Sequence, residues 1–423
     1  MRIPLPLYLV GWLMALALVA CTAPGATDPD GRAPVGPVTI IAPAATTGTI
    51  DEGVTAVSPT QPATVAQTPT LLPTEAPPPG AAREFSTDFT IHTIPFSEIL
   101  SGGPPKDGIP AIDNPKFISI AEADEWLGDL EPVTVFQEQD DVRIYPFQIL
   151  TWHEIVNDTV GGRPVAITFC PLCNTAIVFD ATVNGQALDF GTTGRLRFSN
   201  LLMYDRQTES WWQQASGDAV IGELTGHQLA FLPAYIISWA EAKEQFPQAQ
   251  VLSRETGFNR RYGQNPYVGY DNINSSPFLF AGETPAQLPA MARVTTVVLA
   301  DEAVAYPNEV LAQVGVVNDQ IGDAAVVVIW QPGLASALDS SSIAEGQDVG
   351  ASGVFSRSLN GQTLTFVKNG DDIVDEQTGS AWNIFGQAVA GELAGQSLTP
   401  VVKVDHFWFS WAAFRPDTRI YQP

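Results

Sequence analysis

The chain has three cysteines, four histidines and four methionines in 423 residues. So few thiols exclude a small disulfide-stapled scaffold or an array of zinc modules, both of which need a dense cysteine framework. Basic residues are scarce as well: 20 Lys and Arg against 46 Asp and Glu give a net charge of -26. A surface that negative repels phosphate backbones and anionic headgroups, so no nucleic acid partner and no direct lipid-surface docking are expected. The acidity suits a soluble domain outside the cell, or attraction of a cation. No Ser-His-Asp spacing, metalloprotease helix or paired-carboxylate motif stands out. Gly191-Thr192-Thr193-Gly194 lacks the P-loop lysine and reads as a strand connection.

What is present begins at the N-terminus. Arg2 precedes an apolar run over residues 5–20 that ends Leu18-Val19-Ala20-Cys21, the small-residue pattern that precedes cleavage of exported precursors. A cysteine directly after that site resembles the lipobox of bacterial lipoproteins, in which the cysteine becomes the lipidated terminus. The run barely reaches the ~20 residues of a span and is broken by Pro4, Pro6 and Gly11, which leaves an uncleaved transmembrane anchor as the alternative. We expect a signal peptide over 1–20, lipidation at Cys21, and an extracytoplasmic protein whose membrane contact is its lipid anchor. Residues 21–84 turn to Pro, Thr, Ala and Gly and predict a disordered linker, since they lack the apolar residues that offset ordering entropy.

The remainder carries most of the 10 Trp and 21 Phe and repeats itself. Tyr145-Pro146, Ile149-Leu150, Val156-Asn157-Asp158 and Val160-Gly161 recur as Tyr306-Pro307, Val310-Leu311, Val317-Asn318-Asp319 and Ile321-Gly322 at one constant offset. Further on, Phe179 matches Phe355, the stretch from Asp205 to Trp212 matches that from Asp375 to Trp382, and Ser238-Trp239 matches Ser410-Trp411. Short β-branched runs, and Asn184-Gly185 and Asn360-Gly361 as type I′ turns, predict strands. Short helices are expected over 121–130, 147–157 and 239–246. The fold class read from this is mainly β (α+β): two duplicated, pseudo-symmetric β-rich halves with a few short helices. The first half, 85–253, carries the cysteine pair; 254–423 is a connecting loop and a second, degenerate half.

Cys170-Pro171-Leu172-Cys173 follows a strand-like run and precedes another, so the pair is expected on a β-turn rather than at a helix start. At the constant offset Cys170 falls on Gln331, Cys173 on Leu334, and Pro171 on Pro332; His153 falls on Val314, and His227 falls opposite Gln396. Thiols and imidazoles missing together from one copy suggest one constellation of Cys170, Cys173, His153 and His227. That donor set suits Zn(II), or Cu(I) if Met203 also approaches. The same cysteines could instead form a structural disulfide in an oxidising compartment, or a redox-active pair. Arg206 and Trp211 are replaced by Glu376 and Ala381 in the second copy and could face a ligand in the first. The aromatic stretch 260–271 could line a groove or form a packed loop joining the halves.

The motif Thr168-Phe169-Cys170-Pro171-Leu172-Cys173-Asn174-Thr175-Ala176, the Trp152-His153-Glu154 element, Asn200-Leu201-Leu202-Met203-Tyr204-Asp205-Arg206 and Ser253-Arg254-Glu255-Thr256-Gly257 together resemble the signature stretches of the prokaryotic domain of unknown function family 3179. The resemblance covers nearly all of 95–423. It implies an exported domain and assigns no activity, cofactor or catalytic residue.

Overall fold

Period-two alternation along the strands decides where the cysteines lie. In the strand Arg163–Cys170, the side chains of Val165, Ile167 and Phe169 join one apolar core, whereas Ala166 and Cys170 face another. The neighbouring strand Thr175–Asp180 does the same, sending Ala176 and Val178 to the first core and Ile177 and Phe179 to the second. These two strands, with Ile155–Val160 and Phe231–Leu232, form a four-stranded antiparallel sheet. A second antiparallel sheet of Ile99–Ser101, Phe190–Arg197, Asn200–Asp205, Trp211–Gln213 and Ala219–Ile221 covers the second core with Leu201, Met203 and Trp212. Its outer face, carrying Leu202, Tyr204, Trp211 and Ile221, packs on Ala81, Phe85, Phe89 and Phe96.

The computed structural model describes residues 69–423. The expected signal peptide, the lipidation site Cys21 and the linker as far as residue 68 lie outside the described residues. Among the described residues no helix is long and apolar enough to cross a membrane. The linker expected over 21–84 needs correction at its end. Residues 69–84 belong to the folded body: the Leu72 amide donates to the His92 carbonyl at 2.9 Å, the Phe96 amide to Glu75 Oε1 at 2.7 Å, and a short helix, Ala81–Glu84, buries Ala81. The reason is the aromatic outer face of the second sheet, where Phe85 meets Trp211 edge-on at 5.0 Å and has to be covered by something.

The chain is mainly β with short helices. The expected helix over 121–130 is a single capped turn, Ile120–Ala123. The one over 147–157 is Phe147–His153, which stops because Glu154 turns into the left-handed region at φ 59. Both Asn-Gly pairs adopt positive φ at both residues, as their hairpins require.

An element order recurs along the chain. Strands Pro132–Glu138 and Asp141–Pro146, helix Phe147–His153 and strands Ile155–Val160, Arg163–Cys170 and Thr175–Asp180 are followed later by Arg293–Leu299, Glu302–Pro307, Asn308–Val314, Val316–Ile321, Ala324–Gln331 and Ala351–Ser356. Details repeat too. Tyr145 Oη donates to Asp158 at 2.7 Å and Tyr306 Oη to Asp319 at 2.7 Å. Asn157 pairs through its side-chain amide with the Phe190 backbone, and Asn318 does so with Phe366. Asp205 accepts from the Thr208 amide and Trp212 Nε1, as Asp375 does from Thr378 and Trp382.

Two sequence correspondences shift in three dimensions. Cys170 pairs with Thr175 across its hairpin, and Gln331 pairs with Ala351. Thr175 therefore takes in its hairpin the place that Ala351 takes in the later one, and where the first has the tight turn 171–174 the second has the long connection 332–350, so Leu334 does not stand where Cys173 does. Likewise the Trp239 amide donates to the Glu131 carbonyl and the Trp408 amide to that of Ala292, which makes Trp408, not Trp411, the counterpart of Trp239. The stretches 85–253 and 254–423 do not pack as separate cores: one large cluster joins Val133, Ile144, Phe169 and Trp239 to Val327, Leu338, Phe355 and Phe407.

Candidate functional site

Pro171–Cys173 forms a single 3-10 turn, with Cys170 still extended before it and Asn174 left-handed after it (φ 52). Pro171 supplies the fixed φ for the first turn residue, and Asn tolerates the left-handed position that closes the hairpin. The turn brings both sulfurs to the end of the sandwich interior, where Cys170 and Cys173 are buried and free. Their thiols share one acceptor: Cys173 Sγ donates to the Ser199 carbonyl at 3.3 Å and Cys170 Sγ at 3.7 Å.

Ser199 lies at the tip of the hairpin joining Phe190–Arg197 to Asn200–Asp205. Phe198 and Ser199 have φ values of 51° and 67°, a type I′ geometry that normally calls for Asn and Gly, so two side-chain-bearing residues hold the turn at a cost of about 1 kcal/mol or more each. The corresponding hairpin later in the chain, between Phe366–Asn369 and Asp372–Asp375, is shorter. Ser199 Oγ donates to the Phe278 carbonyl at 2.5 Å. Tyr270 Oη, which donates to the Leu172 carbonyl at 3.0 Å, ties the same 278 segment to the cysteine turn. Outside the turn lies an open cleft of about 520 Å³ lined by Leu172, Pro266, Tyr267, Tyr270 and Phe278 among others.

The electrostatics are those of a dry site. Burial, the neighbouring Cys173 and the Glu154 carboxylate push the Cys170 thiol well above its usual range. Desolvation raises the Glu154 carboxyl to about 8. The Tyr267 phenol is raised by its burial, with Glu154 and Cys170 adding to the effect. A second polar shell stands behind the turn. Gln214 Nε2 donates to Thr168 Oγ1 at 3.0 Å and to the Thr175 carbonyl at 3.1 Å, and Thr175 Oγ1 meets His406 Nδ1 at 2.7 Å. His406 is fully buried, its imidazole lowered to about 3 by desolvation.

Of the residues singled out from sequence, the fold brings Cys170, Cys173 and Met203 into one apolar cluster. It places the histidines elsewhere. His153 spends both ring nitrogens, Nδ1 donating to the Pro110 carbonyl at 2.7 Å and Nε2 accepting from Tyr262 Oη at 2.6 Å. Burial lowers it to about 4, so it is neutral. His227 Nδ1 bonds the Leu224 carbonyl at 2.9 Å and Nε2 faces the Asn184 side chain at 3.0 Å. Among the described residues no group of three or more His, Cys, Asp or Glu is arranged around a metal position. The four-ligand constellation of Cys170, Cys173, His153 and His227 is therefore not assembled, because each imidazole is held by its own local partners. Trp211 points to the opposite face of its sheet from Met203, as its neighbour's alternation demands, and joins the N-terminal cluster. Arg206 pairs with Asp113 at 3.1 Å, away from the thiols' partners.

Glu154, Ser199 and His406 belong to this neighbourhood and were not expected as site residues, whereas Tyr267 and Tyr270 come from the aromatic stretch 260–271, expected either to line a groove or to pack as a joining loop, and they line the cleft. One signal was available for Glu154: at the constant offset it falls on Gly315, so a carboxylate stands where the later stretch has a glycine. A family model matches residues 106–418, spanning parts of both halves and the whole cysteine hairpin. Curated proteins and solved structures give no match. The chain belongs to the family described as Protein of unknown function (DUF3179).

Proposed function

We propose that this protein is an exported, lipid-anchored envelope protein in which Cys170 and Cys173 act as a redox dithiol. We also infer that its two halves arose by duplication, the second keeping the framework and losing the thiols. The observation that carries the functional reading is the pair of adjacent free thiols directed at one carbonyl, that of Ser199. A purely structural turn has no need of two thiols and two residues at positive φ to hold the acceptor. The repeated Tyr–Asp, Asn–Phe and Asp–Thr–Trp bonds support the duplication.

A soft-metal site, for Cu(I) or Zn(II), is the second reading, and it draws on the Met203 thioether in the same cluster as both sulfurs. Metal analysis of the full-length protein, combined with thiol titration in glutathione buffers of graded potential, separates the two. The dithiol reading expects no bound metal and a reversible exchange of two thiols for one disulfide, abolished in Cys170→Ser and Cys173→Ser. One Zn or Cu per chain, lost in the same variants, would replace it with the metal reading; an inert disulfide at all potentials would leave only a structural staple. Membrane attachment is tested by Cys21→Ser, which is expected to move the protein from the membrane fraction to the soluble one.

A further inference from the structure

The wall between the open cleft and the buried thiols is made of side chains that belong to both. Leu172, Tyr267 and Tyr270 line the cleft, and the same three pack into the apolar cluster that holds Cys170 and Cys173. A molecule in the cleft therefore lies beside the cysteine turn without reaching either sulfur, since both are buried. Much of the remaining lining comes from residues 275–279.

That segment is anchored at its two ends and barely in between. Asp271, before it, is buried and pairs with Arg293 at 2.8 Å. Phe280, after it, packs on Phe409 with ring centroids 5.0 Å apart. From Asn272 to Leu279 there is no strand or helix and no residue is buried; the Ile273 and Phe278 side chains are 48% and 57% exposed. Its backbone bonds at Asn272 and Ser275 are local, to Gly269 and Asn272. Among the described residues, the hydrogen bonds that tie it to the cysteine side meet at one residue. The Phe278 carbonyl accepts from Ser199 Oγ at 2.5 Å and the Phe278 amide donates to Tyr270 Oη at 3.3 Å. Tyr270 Oη in turn donates to the Leu172 carbonyl at 3.0 Å, and the Ser199 carbonyl accepts from both thiols. The closed arrangement is also strained: Ser199 at φ 67 and Leu279 at φ 53 flank these bonds in the left-handed region, an outlier for a side chain as bulky as leucine's.

We propose that residues 272–279 form a strap that gates the cysteine turn, latched by Ser199 Oγ and Tyr270 Oη, and that molecules in the cleft reach Cys170 and Cys173 only when the latch releases. Release breaks the two polar bonds at Phe278 and draws no buried side chain out of the core, so it is a local opening far less costly than unfolding. Because Tyr270 Oη is shared between the strap and the Leu172 carbonyl, freeing it loosens the wall as well as the strap. The gate requires only that the thiols be free, and so serves the dithiol and the soft-metal readings alike.

The test uses the reduced full-length protein with N-ethylmaleimide, a small neutral thiol reagent, as the probe, and follows both adducts by mass. Alkylation of wild type is expected to be slow and nearly independent of urea well below the unfolding transition, the signature of an opening that exposes little surface. Tyr270→Phe removes both bonds of that hydroxyl and is expected to speed alkylation by about tenfold; Ser199→Ala removes one and is expected to speed it by about two- to tenfold. Tyr267→Phe alters the same cleft wall at a hydroxyl outside the latch and should leave the rate unchanged. Hydrogen–deuterium exchange over 272–280 gives a readout free of thiol chemistry, and is expected to quicken in Ser199→Ala although the Phe278 amide keeps its own acceptor there. Unchanged rates in Tyr270→Phe and Ser199→Ala, or an equal rise in Tyr267→Phe, would overturn the strap. So would faster alkylation without faster exchange, and so would a wild-type rate that climbs with urea from the first addition, since the thiols would then be reached only through unfolding of the whole fold.

Discussion

Glu154 makes a prediction about stability that needs no substrate. Its carboxyl titrates near 4.5 when solvated and at about 8 in the fold, so the native state holds its proton more tightly than the unfolded chain does. For a group raised in this way the favourable contribution is complete below pH 4.5 and is lost as pH climbs to about 8. At about 1.4 kcal/mol per pH unit, the whole loss amounts to about 5 kcal/mol. His153 and His406 act in the opposite sense. They are lowered from 6.5 to about 4 and about 3, so their contribution is present above 6.5 and lost as pH falls towards those values. Subtraction removes them. Urea unfolding of reduced wild type and Glu154→Gln at a series of pH values below 8 should give curves that nearly coincide at pH 4.5 in slope and then diverge, the variant gaining steadily on the wild type. A stability difference independent of pH between 4.5 and 8 would refute the burial of this carboxyl.

The matching loops offer a paired test: Trp212→Phe and Trp382→Phe each delete one indole donor to a buried aspartate, at 2.9 Å and 3.0 Å, and should each cost about 1–3 kcal/mol by chemical denaturation. Unequal costs, with one near zero, would show that the two turns are not equivalent supports. His406→Val should cost about 1–3 kcal/mol near neutral pH through loss of the Thr175 contact, and should flatten the acid limb of the stability profile below pH 6.5; an unchanged acid limb would mean that His406 is not held neutral by burial.

The sequence carried the local chemistry of the turns well. Proline after Cys170, Asn174 at its close and the two Asn-Gly pairs all state their backbone requirements in one or two residues. Repetition made the mainly β framework legible, because the residues that recur are those that bond to one another, such as Tyr145 with Asp158. Register over a loop was not legible. The connection 332–350 begins with a proline as the cysteine turn does, and only strand pairing reveals that the chain returns at Ala351 rather than after a four-residue turn. The proposed ligand set failed for a related reason. The lack of histidine at the matching positions 314 and 396 says nothing about distance, and both rings are bonded to carbonyls that do not belong to the cysteine turn. Ser199 meets the thiols through its carbonyl, which every residue has, so its side-chain identity held no clue to that contact. The ordering of 69–84 depends on an aromatic sheet face far along the chain, beyond the reach of local composition.

The contact between Thr175 and His406 has a consequence for how the molecule is assembled. The hydroxyl stands two residues after Cys173 and the imidazole close to the C-terminus, so a late stretch of the chain forms part of the wall behind the thiols. During synthesis the cysteine turn is complete long before that wall exists. The enclosure of the thiols therefore depends on the strand Lys403–Phe407 being seated behind Thr175.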